Sequence, residues 1–194
     1  MFSFINATPI TSISTLTLAI FLAKRLILIF PLITIACWFW GRAGNLVCQR
    51  VFVCKTALAL IVGLAISGFI GVIFPLERPF VLGIGQHFLA HAPTPSFPSN
   101  HATIAFIFAF GFLFWLRNWI GLLLFIPAFT IAWARIFLGV HWPLDMVGAF
   151  LVAIMACGIS QTIWELGGHK LLPYIIKAYQ ILFAPLIKKG WIRG

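Results

Sequence analysis

Acidic residues are almost missing from this chain. Its 194 residues include only three carboxylate side chains, Glu77, Asp145 and Glu165, and charged residues of both signs make up 8% of the composition. A soluble globular domain carries about 25% charged residues. Hydrophobic residues account for 62% of the chain. The composition therefore excludes an ordinary soluble domain and indicates an integral membrane protein.

The sequence patterns of several other protein classes are missing too. No basic run with interleaved aromatic residues accompanies the net charge of +10, so nucleic-acid binding is not indicated. No small-residue cleavage signature follows the first apolar stretch, and Lys24 and Arg25 come after that stretch, so we expect the N-terminal segment to be retained. No C-x-x-C or Cys/His spacing of a metal site is present, and buried free thiols are expected at Cys37, Cys48, Cys54 and Cys157.

Long apolar segments predict an all-α fold, a polytopic membrane helical bundle in one domain covering residues 1–194. Runs of roughly 20 apolar residues are long enough to cross a bilayer. We expect about five transmembrane helices, with the third and fourth joined by a short turn at Arg117-Asn118. Their predicted cores are Leu26–Trp40, Thr56–Phe74, Asn100–Leu116, Trp119–Ala134 and Leu144–Trp164.

Both ends of the chain predict helices at the membrane surface. The first would cover Ser14–Ala23. Residues 169–194 mix apolar residues with lysines, and Pro173 and Pro185 interrupt them, so an amphipathic cytoplasmic tail is expected rather than a sixth span. In the second span, Ser67 and Gly71 have the spacing of small residues that pack closely against a neighbouring helix.

The basic residues predict how the spans are oriented. Arg42, Arg50 and Lys55 lie between the first two predicted spans, and the C-terminal tail carries five more Lys and Arg. Cytoplasmic segments of membrane proteins are enriched in these residues. The segments Glu77–Pro98 and Arg135–His141 are then expected on the outer face.

Three short polar clusters stand at the edges of hydrophobic runs. They are Arg78-Pro79, Pro98-Ser99-Asn100-His101, and Arg135-x5-His141-x3-Asp145. Polar groups at a membrane boundary are costly to retain, so such clusters indicate a functional site by default. The predicted topology places all three on the same outer face.

These residue types are suited to phosphate transfer. Ser99 is a favoured helix N-cap, and free backbone N–H groups at a helix start bind anions. Arg78 and Arg135 can hold phosphate oxygens with fixed, bidentate charge. His141 and Asp145 are four residues apart, so on a helix they would share one face, and the carboxylate would orient the imidazole.

Each of these residues also has a structural interpretation. Ser99 could be only a cap, and Arg78 and Arg135 could extend to lipid headgroups. Asp145 could cap the fifth helix, and an interfacial histidine is often bonded to backbone. The ordered combination on one face favours the functional interpretation.

The three clusters resemble the signature motifs of the type 2 phosphatidic acid phosphatase superfamily. The resemblance rests on Glu-Arg-Pro-Phe-Val at 77–81, Ser-Phe-Pro-Ser-Asn-His at 96–101 and Ala-Arg-Ile-Phe-Leu-Gly-Val-His-Trp-Pro-Leu-Asp at 134–145. The wider sequence is most similar to one bacterial branch, the undecaprenyl-diphosphate phosphatases of the bacitracin-resistance type. The resemblance implies a multi-pass enzyme of the bacterial inner membrane whose site faces the periplasm.

The resemblance also implies a role for each residue and no metal cofactor. His141 would attack the terminal phosphorus and form a phosphohistidine, with Asp145 orienting it. His101 would protonate the leaving lipid phosphate and then activate water. The phosphate oxygens would be bound by Arg78, Ser99, Arg135 and the amides near Asn100.

Two positions depart from the superfamily pattern. A lysine usually stands seven residues before the first arginine, where this chain has Gly71. Lys24 or Arg25 could replace that cation, although an interfacial anchor is an equally good interpretation. The second departure is Asn100, where the superfamily has Gly and this branch often has Asp.

The segment from Val81 to Phe97 is the expected entrance or lid. It contains His87 and His91, either of which could touch the distal phosphate, although solvated loop histidines are commoner. Gly83 and Gly85 would let it bend.

Three functions remain open on the sequence. The favoured one is hydrolysis of a polyprenyl diphosphate that recycles the lipid carrier of cell-wall synthesis. The second keeps the same nucleophile but acts on phosphatidate or phosphatidylglycerophosphate, or transfers the phosphate to another acceptor. The third is a non-enzymatic membrane protein that binds lipid headgroups.

Overall fold

Helices account for all regular structure in the computed structural model, which describes residues 1–116 and 119–194. Short 3-10 turns cover Leu26–Leu28 and Ala43–Asn45, and a π-helical segment covers Trp164–Gly168. The α-helices are α1 (Phe2–Ile5), α2 (Ile13–Lys24), α3 (Ile29–Trp40), α4 (Leu46–Ile73), α5 (Asn100–Trp115), α6 (Trp119–Phe137), α7 (Pro143–Ile163), α8 (His169–Leu182) and α9 (Ala184–Lys188).

The prediction of a membrane helical bundle is confirmed. Four helical stretches of the described residues are long and apolar enough to cross a bilayer, and α5 is a fifth, shorter apolar helix. A helix predicted at Ser14–Ala23 is present as α2, but it belongs to the first of these stretches, so its place at the membrane surface stays a prediction. The predicted turn at Arg117-Asn118 lies outside the described residues. The four stretches are Ile13–Trp40, Leu46–Ile73, Trp119–Phe137 and Pro143–Leu182.

Helix α5 lies at the centre of the bundle and carries part of the site at its N-terminus. Every residue from Ala105 to Phe112 is buried, as expected for a helix that is apolar on all sides. Neighbouring helices approach it closely at glycines. A Cβ on Gly63 of α4 would lie 2.6 Å from Ile107, and one on Gly121 of α6 would lie 2.5 Å from the Leu113 nitrogen. On α4, close packing of a small residue against α5 therefore occurs at Gly63.

Helix α4 begins ten residues before the predicted second span, so the placement of Arg50 and Lys55 in a connecting loop was wrong. Both lie inside α4 and are buried. Their charges are tolerated because each has partners. Arg50 Nη2 donates to the Arg193 carbonyl at 2.8 Å and lies over the Tyr179 ring, whereas Lys55 Nζ donates to Gln161 Oε1 at 2.8 Å.

The predicted interruption at Pro173 was also wrong, because this proline lies inside α8. A proline ring clashes with the carbonyl four residues before it, which here belongs to His169. The π-helical segment ends immediately before that residue, so the widened turn adjoins the position of the clash. Pro185, in contrast, stands in the first turn of α9, where proline is well tolerated.

Asn6 joins two segments at the end of the bundle that carries the polar clusters. Its amide nitrogen donates to the carbonyls of Gln86 and Phe137 at 2.9 and 3.1 Å, and its oxygen accepts from the Gln86 nitrogen at 2.7 Å. The loop after α4 is thereby joined to the end of α6. The same junction needs Gly139, which has a φ of +78° and whose Cβ would collide with the Gln86 carbonyl oxygen.

Replacement of Gly139 by alanine tests how tightly this junction is packed. Gly83 has a similar φ of +66° but nothing within 4 Å of its Cβ position, so Gly83→Ala is the matched control. We expect Gly83→Ala to cost about 1–2 kcal/mol through the left-handed backbone alone, and Gly139→Ala to cost clearly more. Thermal unfolding of the detergent-solubilised protein measures the difference, and equal losses would contradict this packing.

Candidate active site

The three polar clusters meet at one cavity, at the end of the bundle where α4 ends and α5 begins. Its volume is about 370 Å³, within the range of about 300–1,000 Å³ typical of small-molecule sites. Helix α4 forms one wall of the cavity with Ser67, Gly68, Gly71 and Val72. The chemically active side chains around it are Arg78, His91, Asn100, His101, Arg135 and His141.

Backbone hydrogen bonds tie the clusters together. The Ser99 nitrogen donates to the Asp145 carbonyl at 3.3 Å, and the Ser96 nitrogen donates to the Leu76 carbonyl at 2.8 Å. Within the third cluster, the Val140 nitrogen donates to the Arg135 carbonyl at 3.2 Å. The turn that follows α6 is thereby closed, and the cavity is framed by main chain rather than by side chains alone.

His141 and Asp145 are in direct contact, but not through the helical spacing expected from the sequence. His141 lies before α7, whose N-cap is Trp142 and whose first residue is Pro143. The Asp145 Oδ2 atom accepts from His141 Nδ1 at 3.0 Å and from the Trp142 nitrogen at 2.8 Å. One oxygen therefore both caps α7 and contacts the imidazole, so a structural role of Asp145 is compatible with the predicted orienting role.

Ser96 is a part of the site that the sequence did not reveal. It is fully buried, and its hydroxyl donates to Asp145 Oδ2. The same hydroxyl lies 3.4 Å from His141 Nδ1. Its only signal was the motif stretch that begins with it, since no spacing rule connects a serine to a carboxylate 49 residues later.

The Arg78 guanidinium has partners on all three of its nitrogens. Nε donates to the Thr94 carbonyl at 2.8 Å, and Nη2 donates to the Pro95 carbonyl at 3.1 Å. Nη1 donates to the Val140 carbonyl at 2.9 Å and lies 3.1 Å from His141 Nε2. Arg78 therefore links the loop of the second cluster to the turn of the third.

These contacts assign the tautomer of His141. An arginine can only donate, so Nε2 must be the acceptor in its contact with Arg78. Nδ1 then carries the ring proton and donates a hydrogen bond to Asp145. The result is a neutral imidazole with a lone pair on Nε2, which is the form that a nucleophilic histidine requires.

Arg135 and Ser99 carry buried polar atoms without a partner among the described residues. The Nε and Nη2 atoms of Arg135 and the Oγ atom of Ser99 are buried without a hydrogen bond to any described residue. Ser99 is the N-cap residue of α5, as expected, but its hydroxyl makes no capping bond. A buried donor without a partner costs about 1–3 kcal/mol. A phosphate oxygen would satisfy such donors.

Burial controls the protonation of His141. It is 2% exposed, and this burial lowers its pKa to about 4, aided by the charges of Arg135 and Arg78 and opposed by Asp145. Burial likewise lowers the pKa of Arg78. An unfolded histidine titrates near 6.5, so between about pH 4 and 6.5 only the unfolded chain binds this proton. The free energy of unfolding therefore rises with pH across this window and falls as the pH drops towards 4.

The remaining predicted residues fall into two groups. His101, Asn100 and His91 line the cavity, and the His91 ring centre lies 6.2 Å from that of His141. The others lie outside the cavity lining. His87 stacks on Phe80 with the ring centres 4.2 Å apart, and Lys24 and Arg25 are exposed at the end of α2.

The sequence also matches a protein-family model. The model of the PAP2 superfamily matches residues 52–166, more than half of the chain and a region that includes all three clusters. The chain belongs to the PAP2 superfamily. Gly71, where the superfamily usually has its first lysine, lines the cavity, and a Cβ added there would lie 3.5 Å from Pro95, an ordinary contact.

Individual relatives of this PAP2 protein cover nearly its full length. It is 48% identical to YbjG of Escherichia coli (strain K12), over 100% of this chain and 96% of the relative. It is 29% identical to undecaprenyl-diphosphatase BcrC of Bacillus subtilis (strain 168), over 89% of this chain and 86% of the relative. The crystal structure of Aquifex aeolicus LpxE superposes with a TM-score of 0.63 at 26% identity, covering 83% of this chain and 92% of that one.

The protonation of His141 is directly measurable. In protein labelled with ¹⁵N-histidine, we expect the His141 ring to titrate near pH 4 rather than near 6.5, because it is buried beside two arginines. Asp145→Asn should move the midpoint lower still, since the carboxylate raises this pKa. The signal is assigned by its loss in His141→Gln, and His169→Gln serves as the control. A midpoint at or above 6.5 would contradict the assignment.

Proposed function

We propose that this protein hydrolyses a polyprenyl diphosphate, undecaprenyl diphosphate in the favoured case, to the monophosphate and inorganic phosphate. The single observation that supports it best is the line of contacts Arg78–His141–Asp145 beside the unpartnered donors of Arg135. This arrangement places an oriented nucleophile, His141, in the same cavity as the unpartnered guanidinium donors of Arg135. A protein that only bound headgroups would not need the oriented imidazole.

The names of the relatives support the same substrate class. BcrC of Bacillus subtilis is an undecaprenyl-diphosphatase by name, and YbjG of Escherichia coli is provisionally given the same activity. A further relative from Sulfolobus acidocaldarius, 32% identical over 52% of this chain, is also named undecaprenyl-diphosphatase. By this proposal the protein recycles the lipid carrier used in cell-wall synthesis.

In the first step, His141 Nε2 attacks the terminal phosphorus. The bond from phosphorus to the bridging oxygen breaks, its electron pair moves to the leaving lipid monophosphate, and His101 donates a proton to that oxygen. The Nδ1 proton remains on His141, where Asp145 stabilises the positive ring of the phosphohistidine. Arg78 exchanges its contact with Nε2 for a phosphate oxygen, and Arg135 neutralises charge on the transferred group.

In the second step, water replaces His141 on phosphorus. His101, now neutral, takes a proton from the water, and the resulting oxygen nucleophile forms a new bond to phosphorus. The bond between phosphorus and Nε2 breaks, and its electron pair returns to the imidazole. Inorganic phosphate leaves, and His101 carries the proton needed for the next turnover.

The charge distribution supports an outward-facing site. Helix α4 is 28 residues long, or about 42 Å at 1.5 Å per residue, so its two ends lie at opposite membrane boundaries. Arg42 precedes one end, and the cavity lies at the other. Because Lys and Arg concentrate on the cytoplasmic side, the cavity would face the periplasm or cell exterior.

Phosphate release by the purified full-length protein tests the proposal. With undecaprenyl diphosphate as substrate, we expect His141→Ala to lose at least about 10³-fold in kcat, because the nucleophile is gone. His101→Ala should lose about 10²–10⁴-fold, as expected for an acid–base catalyst. His169→Ala, at the opposite end of the bundle, is the matched control and should keep full activity.

A substrate panel separates the competing functions. Undecaprenyl diphosphate, phosphatidate and phosphatidylglycerophosphate are compared by kcat/KM in the same preparation. A clear preference for either monoester would favour the broader lipid phosphatase over the proposed function. Turnover of His141→Ala within tenfold of wild type would overturn the proposed mechanism altogether.

A further inference from the structure

Ser67 has a buried hydroxyl at the cavity, and the proposed reaction steps give this hydroxyl no role. It is 4% exposed, its Oγ has no hydrogen-bond partner among the described residues, and the residue lines the same cavity as His141 and Arg135. Serines inside helices often bond to the carbonyl four residues earlier, and Ser67 does not. An unpaired buried hydroxyl is destabilising, so a ligand atom that accepts a hydrogen bond from Ser67 would remove that cost.

The α4 wall around Ser67 is shaped by small residues rather than by close helix packing. Gly71, one turn after Ser67, has no contact shorter than 3.5 Å from its Cβ position, and Gly68 has nothing within 4 Å. The close packing predicted from the small-residue spacing therefore does not extend to this part of α4. Space remains beside Ser67 for an atom that is not protein.

The cavity extends from a buried end to the surface of the bundle. His141 and Arg135 are each 2% exposed and lie at its buried end, whereas Gly68 and Val72 are exposed on the outside of the bundle. Phe69 and Leu64, on the same helix, are exposed apolar side chains of the kind that faces lipid. A diphosphate lipid with its terminal phosphate at His141 would extend its tail towards this surface, and its second phosphate would pass Ser67.

We propose that the Ser67 hydroxyl donates a hydrogen bond to the tail-bearing, leaving phosphate and selects for diphosphate substrates. The inference rests on the proposed function, because it assumes that the terminal phosphate binds between His141 and Arg135. Ser67 is a positioning and specificity residue that takes no part in proton transfer. It holds the leaving group on the lipid side while the terminal phosphate is attacked.

Binding of two soluble probes tests this role. Methylenediphosphonate has two phosphoryl groups, and inorganic phosphate has one. By isothermal titration calorimetry on the solubilised full chain, Ser67→Ala should weaken methylenediphosphonate about tenfold, as loss of one bond to a charged group predicts, and leave inorganic phosphate unchanged. Ser67→Thr keeps the hydroxyl and should retain the preference.

Ser160→Ala is the matched control. Ser160 is also fully buried, but it lies at the other end of the bundle and its hydroxyl donates to the Lys55 carbonyl at 2.8 Å. This variant should bind both probes normally and lose thermal stability, because it loses a bond. Ser67→Ala should unfold at the wild-type temperature or higher, since it removes an unpaired hydroxyl.

Each outcome decides between the inference and its rejection. Unchanged methylenediphosphonate binding in Ser67→Ala, or equal weakening of both probes, would overturn the role assigned to Ser67. Loss of the preference in a folded Ser67→Thr would overturn it as well. The proposed function would survive any of these results, provided that the wild type hydrolyses undecaprenyl diphosphate and His141→Ala does not.

Discussion

The carboxylate of Asp145 is the contact on which the rest of the site depends. Its Oδ2 atom accepts from the imidazole of His141, the hydroxyl of Ser96 and the backbone nitrogen of Trp142. One oxygen thus accepts from Nδ1 of His141, attaches the loop before α5 and caps the start of α7. The burial of Asp145 also makes its loss costly, because three donors would lose their acceptor at once.

The second constraint is how the two arginines beside the His141 imidazole use their hydrogen-bond donors. Arg78 uses its donors on carbonyl groups of the loop and on His141, whereas two Arg135 nitrogens have no partner in the described part of the chain. One arginine therefore maintains the shape of the cavity, and the other is free for a ligand. Burial, aided by both arginine charges, lowers the pKa of His141 to about 4. The imidazole is therefore neutral at physiological pH, as the proposed nucleophile must be.

The membrane class and the three clusters could be predicted from the sequence because both are local signals. Long apolar runs indicate the membrane class, and the clusters are polar groups at the edges of those runs, where burying them is costly. Sequence reasoning could not identify Ser96, whose partner is distant in the chain. It placed Arg50 outside the membrane helix because a lone arginine is usually excluded there, but a carbonyl 143 residues away and aromatic rings compensate it. It placed a break at Pro173 because proline usually interrupts a helix, and no sequence signal indicated the π-helical segment that precedes α8.

The central claim is that His141 becomes covalently phosphorylated during turnover. Wild-type protein is mixed with undecaprenyl diphosphate labelled in the terminal phosphate, quenched in alkali within the first turnover, digested and mapped by mass spectrometry. We expect the label on the peptide that contains His141, as an alkali-stable and acid-labile phosphohistidine, and none in His141→Ala. Full hydrolysis without any labelled protein, or a label on another residue, would contradict the account.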